Sequence, residues 1–256
     1  MAVLLVSVLH YADAEDPAKA PAFEVASITP CKPGTPEPAG EHAGMVQFIY
    51  PGGTFRATAT TVKFLLEWAY GIQPPQHSGG PSWIDTDRYD IVAKAEGNPT
   101  DNQMKQMAQT LLADRFQLKF HREPKKIPAY VLSLGKTAPK LFPPKDGETR
   151  FMRIVPQTGP DQKIVAYRVV ATRFSLAQLT DTFARQLGRV IVNDTGLDGE
   201  YDFTIDLMPD ESRPNPVDPS LLISALHDQL GLTVRSQDAT VDVLEIDSAA
   251  KVAAGN

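Results

Sequence analysis

Apolar residues recur every three or four positions in four segments of the chain, which is the spacing of one face of an α-helix. Each segment starts after a residue whose side chain can cap a helix, and three of the segments stop at glycine. Two of the starts are capping boxes, because a glutamine follows the threonine or serine three residues later. The predicted helices begin after Thr61, Thr100, Ser175 and Asp218.

Short runs rich in β-branched and aromatic residues separate these helices and predict strands. In the first half of the chain they cover residues 23–28, 45–50, 54–59, 89–95, 118–121 and 129–134. In the second half they cover residues 151–155, 164–170, 190–192, 201–207, 232–235 and 241–246. Glycine-containing turns at residues 51–53 and 198–199 predict two hairpins.

The two halves repeat the same motifs in the same order at a nearly constant offset. Residues 55–60 match residues 167–172, and the Tyr-Asp pair at position 89 matches the Tyr-Asp pair at position 201. A shared amphipathic pattern explains the matching apolar residues, but it does not explain the shared Arg, Thr and Asp positions. We therefore predict an α+β fold of two tandem β-α-β-β-α-β units, an internal duplication, with the helices on one face of each small sheet.

Composition places the boundaries of these units. Residues 15–135 form the first unit, which includes an N-terminal strand and a proline-rich loop. Residues 136–150 are rich in Pro, Lys and Gly and are typical of a linker. Residues 151–247 form the second unit, and residues 248–256 form a tail.

Residues 1–14 are similar to a signal peptide. An apolar run at residues 2–9 precedes Ala12, Asp13 and Ala14, which fit a small-residue cleavage site. Because no Lys or Arg precedes the run, a buried N-terminal strand is the alternative interpretation. We expect export to the periplasm or the extracellular space.

Composition also excludes several classes of function. With 42% apolar residues the chain can bury a core, and its net charge of −6 comes without the basic cluster that binding a nucleic acid requires. No apolar run approaches the roughly 20 residues of a transmembrane helix, so we predict no transmembrane segment. Cys31 has no partner cysteine, and the five histidines form no zinc motif. We predict no metal and no cofactor.

Several motifs resemble a soil-associated family that is abundant in Acidobacteria. They lie at residues 23–28, 79–84, 87–93, 111–116, 185–189, 195–199, 201–203 and 229–232. That family has no established activity, its members usually look exported, and related domains occur on the outer side of membrane sensors of the penicillin-sensing peptidase type. The second half is also loosely similar to the short N-terminal domains of secretins and TonB-dependent receptors, which are small interaction modules. The resemblance implies export and supplies no catalytic residues.

One segment, residues 76–80, has a catalytic pattern. Ser78 precedes two glycines, so its hydroxyl and the neighbouring N–H groups could serve an oxyanion site, with His77 as the base. The segment lacks the first glycine of the G-x-S-x-G motif. A tight turn, in which Gly79 and Gly80 supply positive φ angles, is the alternative.

The residues after this segment are candidate contact residues. Trp83 suits a binding hot spot, although tryptophan also fills gaps between packed elements. Asp85 and Arg88 lie beside it, and Gly79 and Gly80 complete the candidate binding surface. The acidic residues here lack the spacing of a calcium loop, so solvated charges are the simpler interpretation.

These observations favour an exported, non-enzymatic binding or sensing module. Small α+β units with exposed sheet edges can accept a partner strand, and two units also create a cleft between them. The partner is then a protein, a peptide or an envelope polymer. The alternative is a secreted serine hydrolase, similar to an esterase or peptidase, that uses Ser78.

Overall fold

The computed structural model describes residues 20–32, 34, 49–50, 52–209 and 218–252. Within these residues the fold is mixed α+β, with five helices and three small sheets. The predicted signal peptide at residues 1–14 lies outside the described residues, as does most of the predicted strand at residues 45–50.

The four predicted helices are present, and a one-turn helix is added to them. Each of the four has its expected cap, since the side chains of Thr61, Thr100, Ser175 and Asp218 accept a hydrogen bond from a backbone N–H in the first turn. The helices are α1 (Val62–Tyr70), α2 (Trp83–Thr86), α3 (Asp101–Arg115), α4 (Leu176–Leu187) and α5 (Pro219–Leu230).

Eleven strands accompany the helices in the described part of the chain. In the first half they are β1 (Val25–Pro30), β2 (Ile49–Tyr50), β3 (Thr54–Thr61), β4 (His77–Gly79), β5 (Arg88–Lys94) and β6 (Lys119–Leu134). In the second half they are β7 (Phe151–Thr158), β8 (Ile164–Ser175), β9 (Val190–Asn193), β10 (Glu200–Leu207) and β11 (Leu232–Ser248).

The sheets differ from the expectation of one sheet for each unit. The N-terminal sheet has the order β1-β5-β3-β2 and the C-terminal sheet the order β10-β8-β7, so each uses strands of one half. The central sheet has the order β4-β11-β6-β9 and combines both halves. Since β9 and β10 lie in different sheets, the predicted hairpin around residues 198–199 is wrong, whereas β2 and β3 do form the predicted hairpin.

The central sheet is arranged around one long antiparallel pair. β6 and β11 pair from Leu134 with Leu232 to Lys119 with Ser248. β4 of the first half adds in parallel to β11, and β9 of the second half adds in parallel to β6. The sequence pattern predicts two short strands in place of each long one, because the middle of each strand is polar and exposed. Main-chain pairing across the whole length holds these polar stretches in the sheet.

Two apolar cores pack against opposite ends of this long strand pair. The first is built on α1, α3 and the N-terminal sheet, and it includes Leu244 and Ile246 of β11. The second is built on α4, α5 and the C-terminal sheet, and it includes Leu132 of β6. Each half therefore completes the core of the other half through its long strand.

β3 and β8 contain the same irregularity. In both strands the pairing register shifts, and the residue at the shift has a left-handed backbone, Ala59 with φ 48° and Arg173 with φ 53°. The N–H of Ala59 donates to Asp90, and the N–H of Arg173 donates to Asp202, both at 2.9 Å. A side-chain acceptor at each bulge compensates for the ladder bond that the bulge removes.

We expect the strain at Ala59 to be measurable by comparison with Ala57, which is buried in the same strand. Ala59→Gly and Ala57→Gly both remove a buried methyl group and both increase the entropy of the unfolded chain. Only Ala59→Gly relieves a left-handed conformation, so it should cost less free energy of unfolding by about 1–2 kcal/mol. Urea denaturation of the two variants measures the difference, and equal losses would contradict this account.

Candidate functional site

The segment with the catalytic pattern is a short strand at the border of the two halves. His77, Ser78 and Gly79 form β4 and pair with Leu244, Glu245 and Ile246 of β11. Adjacent residues of a strand point to opposite faces. His77 and Ser78 therefore face different surroundings, and they do not form a nucleophile–base pair.

The partner of Ser78 is a carboxylate. Its hydroxyl donates to Glu245 at 2.5 Å, and Lys125 donates to the same carboxylate at 2.7 Å. The hydrogen bond from Lys125, followed by the one from Ser78, lowers the pKa of Glu245 below its usual value. A carboxylate with a lowered pKa is a weak base and is poorly suited to activate a serine.

The two glycines after Ser78 allow the chain to lie close to β11. Both have left-handed backbones, with φ 76°. A Cβ atom on Gly79 would lie 2.8 Å from the carbonyl oxygen of Ile246, and one on Gly80 would lie 2.8 Å from Cγ2 of the same residue. Backbone conformation and close packing together account for both glycines.

Trp83, Asp85 and Arg88 all have contacts within the chain. The half-buried Trp83 ring packs against Tyr89 and Phe116, with centroid distances of 6.5 Å and 6.4 Å. Asp85 forms an ion pair with Lys63 at 3.4 Å. Arg88 donates to the carbonyl oxygen of Ala59 at 2.8 Å, next to the bulge in β3.

A buried ionic cluster lies on the other side of β4, and sequence reasoning missed it. The side chain of Glu67 on α1 is 2% exposed, and it lies between His77 and Arg185. His77 Nε2 is 3.0 Å from one carboxylate oxygen, and the Arg185 guanidinium bonds to the other. Because Arg185 belongs to α4, this cluster joins the two halves.

Two opposing effects determine the pKa of Glu67. Burial alone raises it, but the hydrogen bond from His77 and the charge and hydrogen bond of Arg185 outweigh burial, so the pKa lies below its usual value. Glu67 is therefore a charged, paired group in the interior. A catalytic acid would need a raised pKa.

Gln73 and Asp181 extend the cluster towards β9. The Gln73 side chain accepts from the N–H of Ile191 at 2.7 Å and donates to its carbonyl oxygen at 3.0 Å, as a neighbouring strand would. It also donates to Asp181 at 3.2 Å. Burial raises the pKa of Asp181 above its usual value. In the sequence, the feature that indicates this cluster is Glu67, a glutamate within the apolar stripe of α1. The partners of Glu67 lie far away in sequence.

A second candidate surface lies on the C-terminal sheet. A cavity of about 370 Å³ opens beside β10, between the end of α5 and the segment at residues 140–148. Several large apolar side chains of the neighbouring strands are exposed, including Ile154 at 53% and Val165 at 52%. Exposed apolar surface of this kind marks interaction sites.

Two further features are absent from the described residues. These residues contain no group of three or more His, Cys, Asp or Glu side chains that could hold a metal ion. Nor does any helix among them have the length and apolar content needed to cross a membrane.

Comparison with known families adds one match. Residues 63–249 match the family described as Protein of unknown function, DUF3738. The chain belongs to this family. The match begins at the second residue of α1 and includes the central sheet and both candidate surfaces. A search of curated proteins found no match, and a search of solved structures found none either.

Gly79→Ala should destabilise the protein more than Gly188→Ala. Both glycines have left-handed backbones, but a Cβ on Gly188 meets no atom within 4 Å, whereas one on Gly79 meets main chain at 2.8 Å. Both substitutions therefore incur the cost of a left-handed backbone. We expect Gly79→Ala to lose about 1–3 kcal/mol more of the free energy of unfolding. Thermal and urea denaturation test this. Equal losses would leave ligand contact as the explanation for Gly79.

Glu67→Gln should lower the free energy of unfolding at pH 7 by about 3 kcal/mol, because it leaves Arg185 without its buried partner. The folded-state pKa of Glu67 is lowered, so its contribution is present above the unfolded value of about 4.3 and is lost as the pH falls through the folded value. The difference from wild type should therefore shrink between pH 5 and pH 3.

Asp85→Asn is the matched control, since it removes the exposed ion pair with Lys63. We expect it to change the free energy of unfolding by less than about 0.5 kcal/mol at any of these pH values. A Glu67→Gln protein as stable as wild type at pH 7 would contradict the assigned role of the cluster.

Proposed function

We propose that the protein is an exported, non-enzymatic binding or sensing module, which recognises a protein, a peptide or an envelope polymer through its C-terminal sheet. The observation that carries the proposal is the concentration of exposed apolar side chains on this sheet. They are Phe151 and Ile154 on β7 and Ile164 and Val165 on β8.

The edge of the C-terminal sheet at β7 suits strand addition. β7 pairs with β8 along its whole length, from Phe151 with Thr172 to Thr158 with Ile164. On its other side no strand of the described chain is paired with it. An open edge with apolar side chains is the kind of template to which a partner strand adds.

One residue of β7 limits how far such a partner can extend. Pro156 pairs with Tyr167 within the sheet. Proline is tolerated in an edge strand where its nitrogen faces away from the neighbouring strand. The outer edge therefore lacks a donor at Pro156, and we expect a partner to pair with residues 151–155.

We also propose that the chain consists of two copies of one β-α-β-β-α-β unit. The order β3-α1-β4-β5-α3-β6 corresponds to β8-α4-β9-β10-α5-β11. The matched bulges at Ala59 and Arg173, each bonded to an aspartate, support this correspondence. Two related units give two sheets of the same design, and among the described residues the C-terminal sheet carries more of the exposed large apolar side chains than the N-terminal sheet, which has Val25 and Val92.

Export is supported by the sequence of residues 1–14 and by the resemblance to exported proteins of the soil-associated, Acidobacteria type. The likeness of the second half to secretin and TonB-receptor N-terminal domains supports an interaction role. The contacts of Ser78 do not support the serine hydrolase alternative, because its hydroxyl donates a hydrogen bond to Glu245. We therefore do not propose it.

Ile154→Arg should weaken binding to the native partner at least tenfold, because it places a charge in the apolar part of the surface. Asn102→Arg, on the exposed side of α3, is the control and should bind as wild type does. The partner is first isolated with wild-type protein from the native envelope fraction, and its affinity for each variant is then measured by calorimetry. Unchanged affinity for Ile154→Arg, or a partner recovered in cleaved form, would contradict the proposal.

A further inference from the structure

β5 and β10 occupy corresponding places in their sheets but differ in their outer neighbours. β5 has β3 on one side and β1 on the other, from Val25 with Lys94 to Pro30 with Tyr89. β10 has β8 on one side. On the other side of β10, one residue of the intervening segment, Phe142, forms an isolated bridge to Asp202.

The main chain of β5 shows which groups face its outer neighbour. The carbonyl oxygens of Arg88 and Lys94 accept from the N–H groups of Cys31 and Glu24, both at 2.8 Å. Alternate residues of a strand direct their N–H and C=O groups to the same side. The even-numbered residues of β5 therefore face the segment that contains β1.

On β10 the corresponding groups have two substitutes for a strand. Asp202 exchanges both main-chain bonds with Phe142, at 2.8 Å and 3.0 Å. The N–H of Asp206 donates to the Gln229 side chain and its carbonyl oxygen accepts from it, both at 2.8 Å. Thr204 lies between them and faces the same side by alternation. None of the described side chains forms a hydrogen bond with the main chain of Thr204, so the N–H and the C=O of Thr204 are both open on this side.

The 370 Å³ cavity lies at this gap, which we call the β10 cleft; it is lined by Thr172, Thr204, Phe142, Lys140 and Lys145, among others. Thr172 is only 6% exposed, and its hydroxyl has no hydrogen-bond partner among the described residues. The described residues contain no buried side-chain oxygen or nitrogen without a hydrogen-bond partner, so this hydroxyl reaches the solvent in the cavity. A solvent-accessible hydroxyl beside free main-chain groups is available to bond to a ligand.

Charge indicates the chemistry of the ligand. Lys140 and Lys145 form no ion pair within the described part of the chain, and both line the cleft with the exposed Phe142. Glu148 and Asp202 are the acidic residues there, and the Asp202 carboxylate already accepts from the N–H of Arg173. The cleft thus has two ammonium groups that no described carboxylate pairs, and these complement an acidic group.

We propose that the β10 cleft binds an extended, acidic peptide segment by strand addition. The main chain of the peptide pairs with Thr204 and takes over the bonds of Asp206 from Gln229. Its acidic side chain meets Lys140 and Lys145, and an apolar side chain contacts Phe142. This inference rests on the proposed binding function and names its ligand.

The chain contains a pattern for such a ligand. Residues 23–30 carry an acid, Glu24, between the apolar residues Phe23 and Val25, and this segment lies on the outer edge of β5. The Glu24 N–H bonds to Lys94, which lies four residues after Asp90, as Asp206 lies four residues after Asp202. A synthetic, end-blocked peptide with the sequence of residues 23–30 is therefore the probe.

The test measures binding of the fluorescent probe to the full chain by anisotropy. Thr204→Pro removes the open N–H without removing a bond to β8, and it should abolish binding. Lys140→Glu with Lys145→Glu should weaken binding at least tenfold, while Lys163→Glu, which lies outside the cleft, should leave it unchanged. Gln229→Ala should strengthen binding a few fold, because Asp206 is then free to pair.

The outcomes separate this inference from the function on which it rests. Full binding by Thr204→Pro, or no binding by wild type, overturns the β10 cleft. If Ile154→Arg abolishes binding of the probe or of the native partner and Thr204→Pro does not, recognition lies at β7. The binding function is then intact. Circular dichroism checks the fold of each variant. If Thr204→Pro unfolds, two other variants decide: the isosteric Thr172→Val, and Gln229→Ala. If both bind the probe as wild type does, the inference is overturned.

Discussion

The antiparallel pairing of β6 with β11 is the interaction on which the rest of the structure depends. It runs from Leu134 with Leu232 to Lys119 with Ser248 and joins the two halves of the chain. β4 pairs with the outer side of β11, and β9 pairs with the outer side of β6. Apolar residues of each long strand complete the core of the other half. Breaking this pair would expose both cores together, so we expect the two halves to unfold as one cooperative unit.

The parts of the fold that local chemistry determines could be predicted from the sequence. Thr61 and Ser175 mark helix starts because a hydroxyl that accepts a first-turn N–H is visible in a few residues. The polar middle of β6 was not recognisable as strand, because its pairing with β11 is a contact between residues far apart in sequence. The same limit applies to the site. Ser78 looked catalytic from its neighbours, but Glu245 and Arg185 lie in distant elements.

The border between the halves contains ionisable groups whose roles are structural. Glu67 is buried between His77 and Arg185, and removing one partner of such a group costs far more than it would at the surface. The network also fixes geometry, because the two hydrogen bonds between Gln73 and Ile191 align β9 with the first half. An apolar contact would tolerate sliding between the halves. A set of directional bonds holds one register, and so fixes α4 and β9 relative to the first half.

The open edges of the sheets are covered at single residues. An unpaired edge invites aggregation, and proteins protect such edges in several ways. Here a glutamine amide covers β9 at Ile191, another covers β10 at Asp206, and Pro156 interrupts the edge of β7. Protection of this kind is local, since one amide covers one residue. It leaves Thr204 open beside a cavity with a free hydroxyl and two lysines. An edge that is covered on both sides of a single gap remains selective, because only a ligand that fits the gap can pair there.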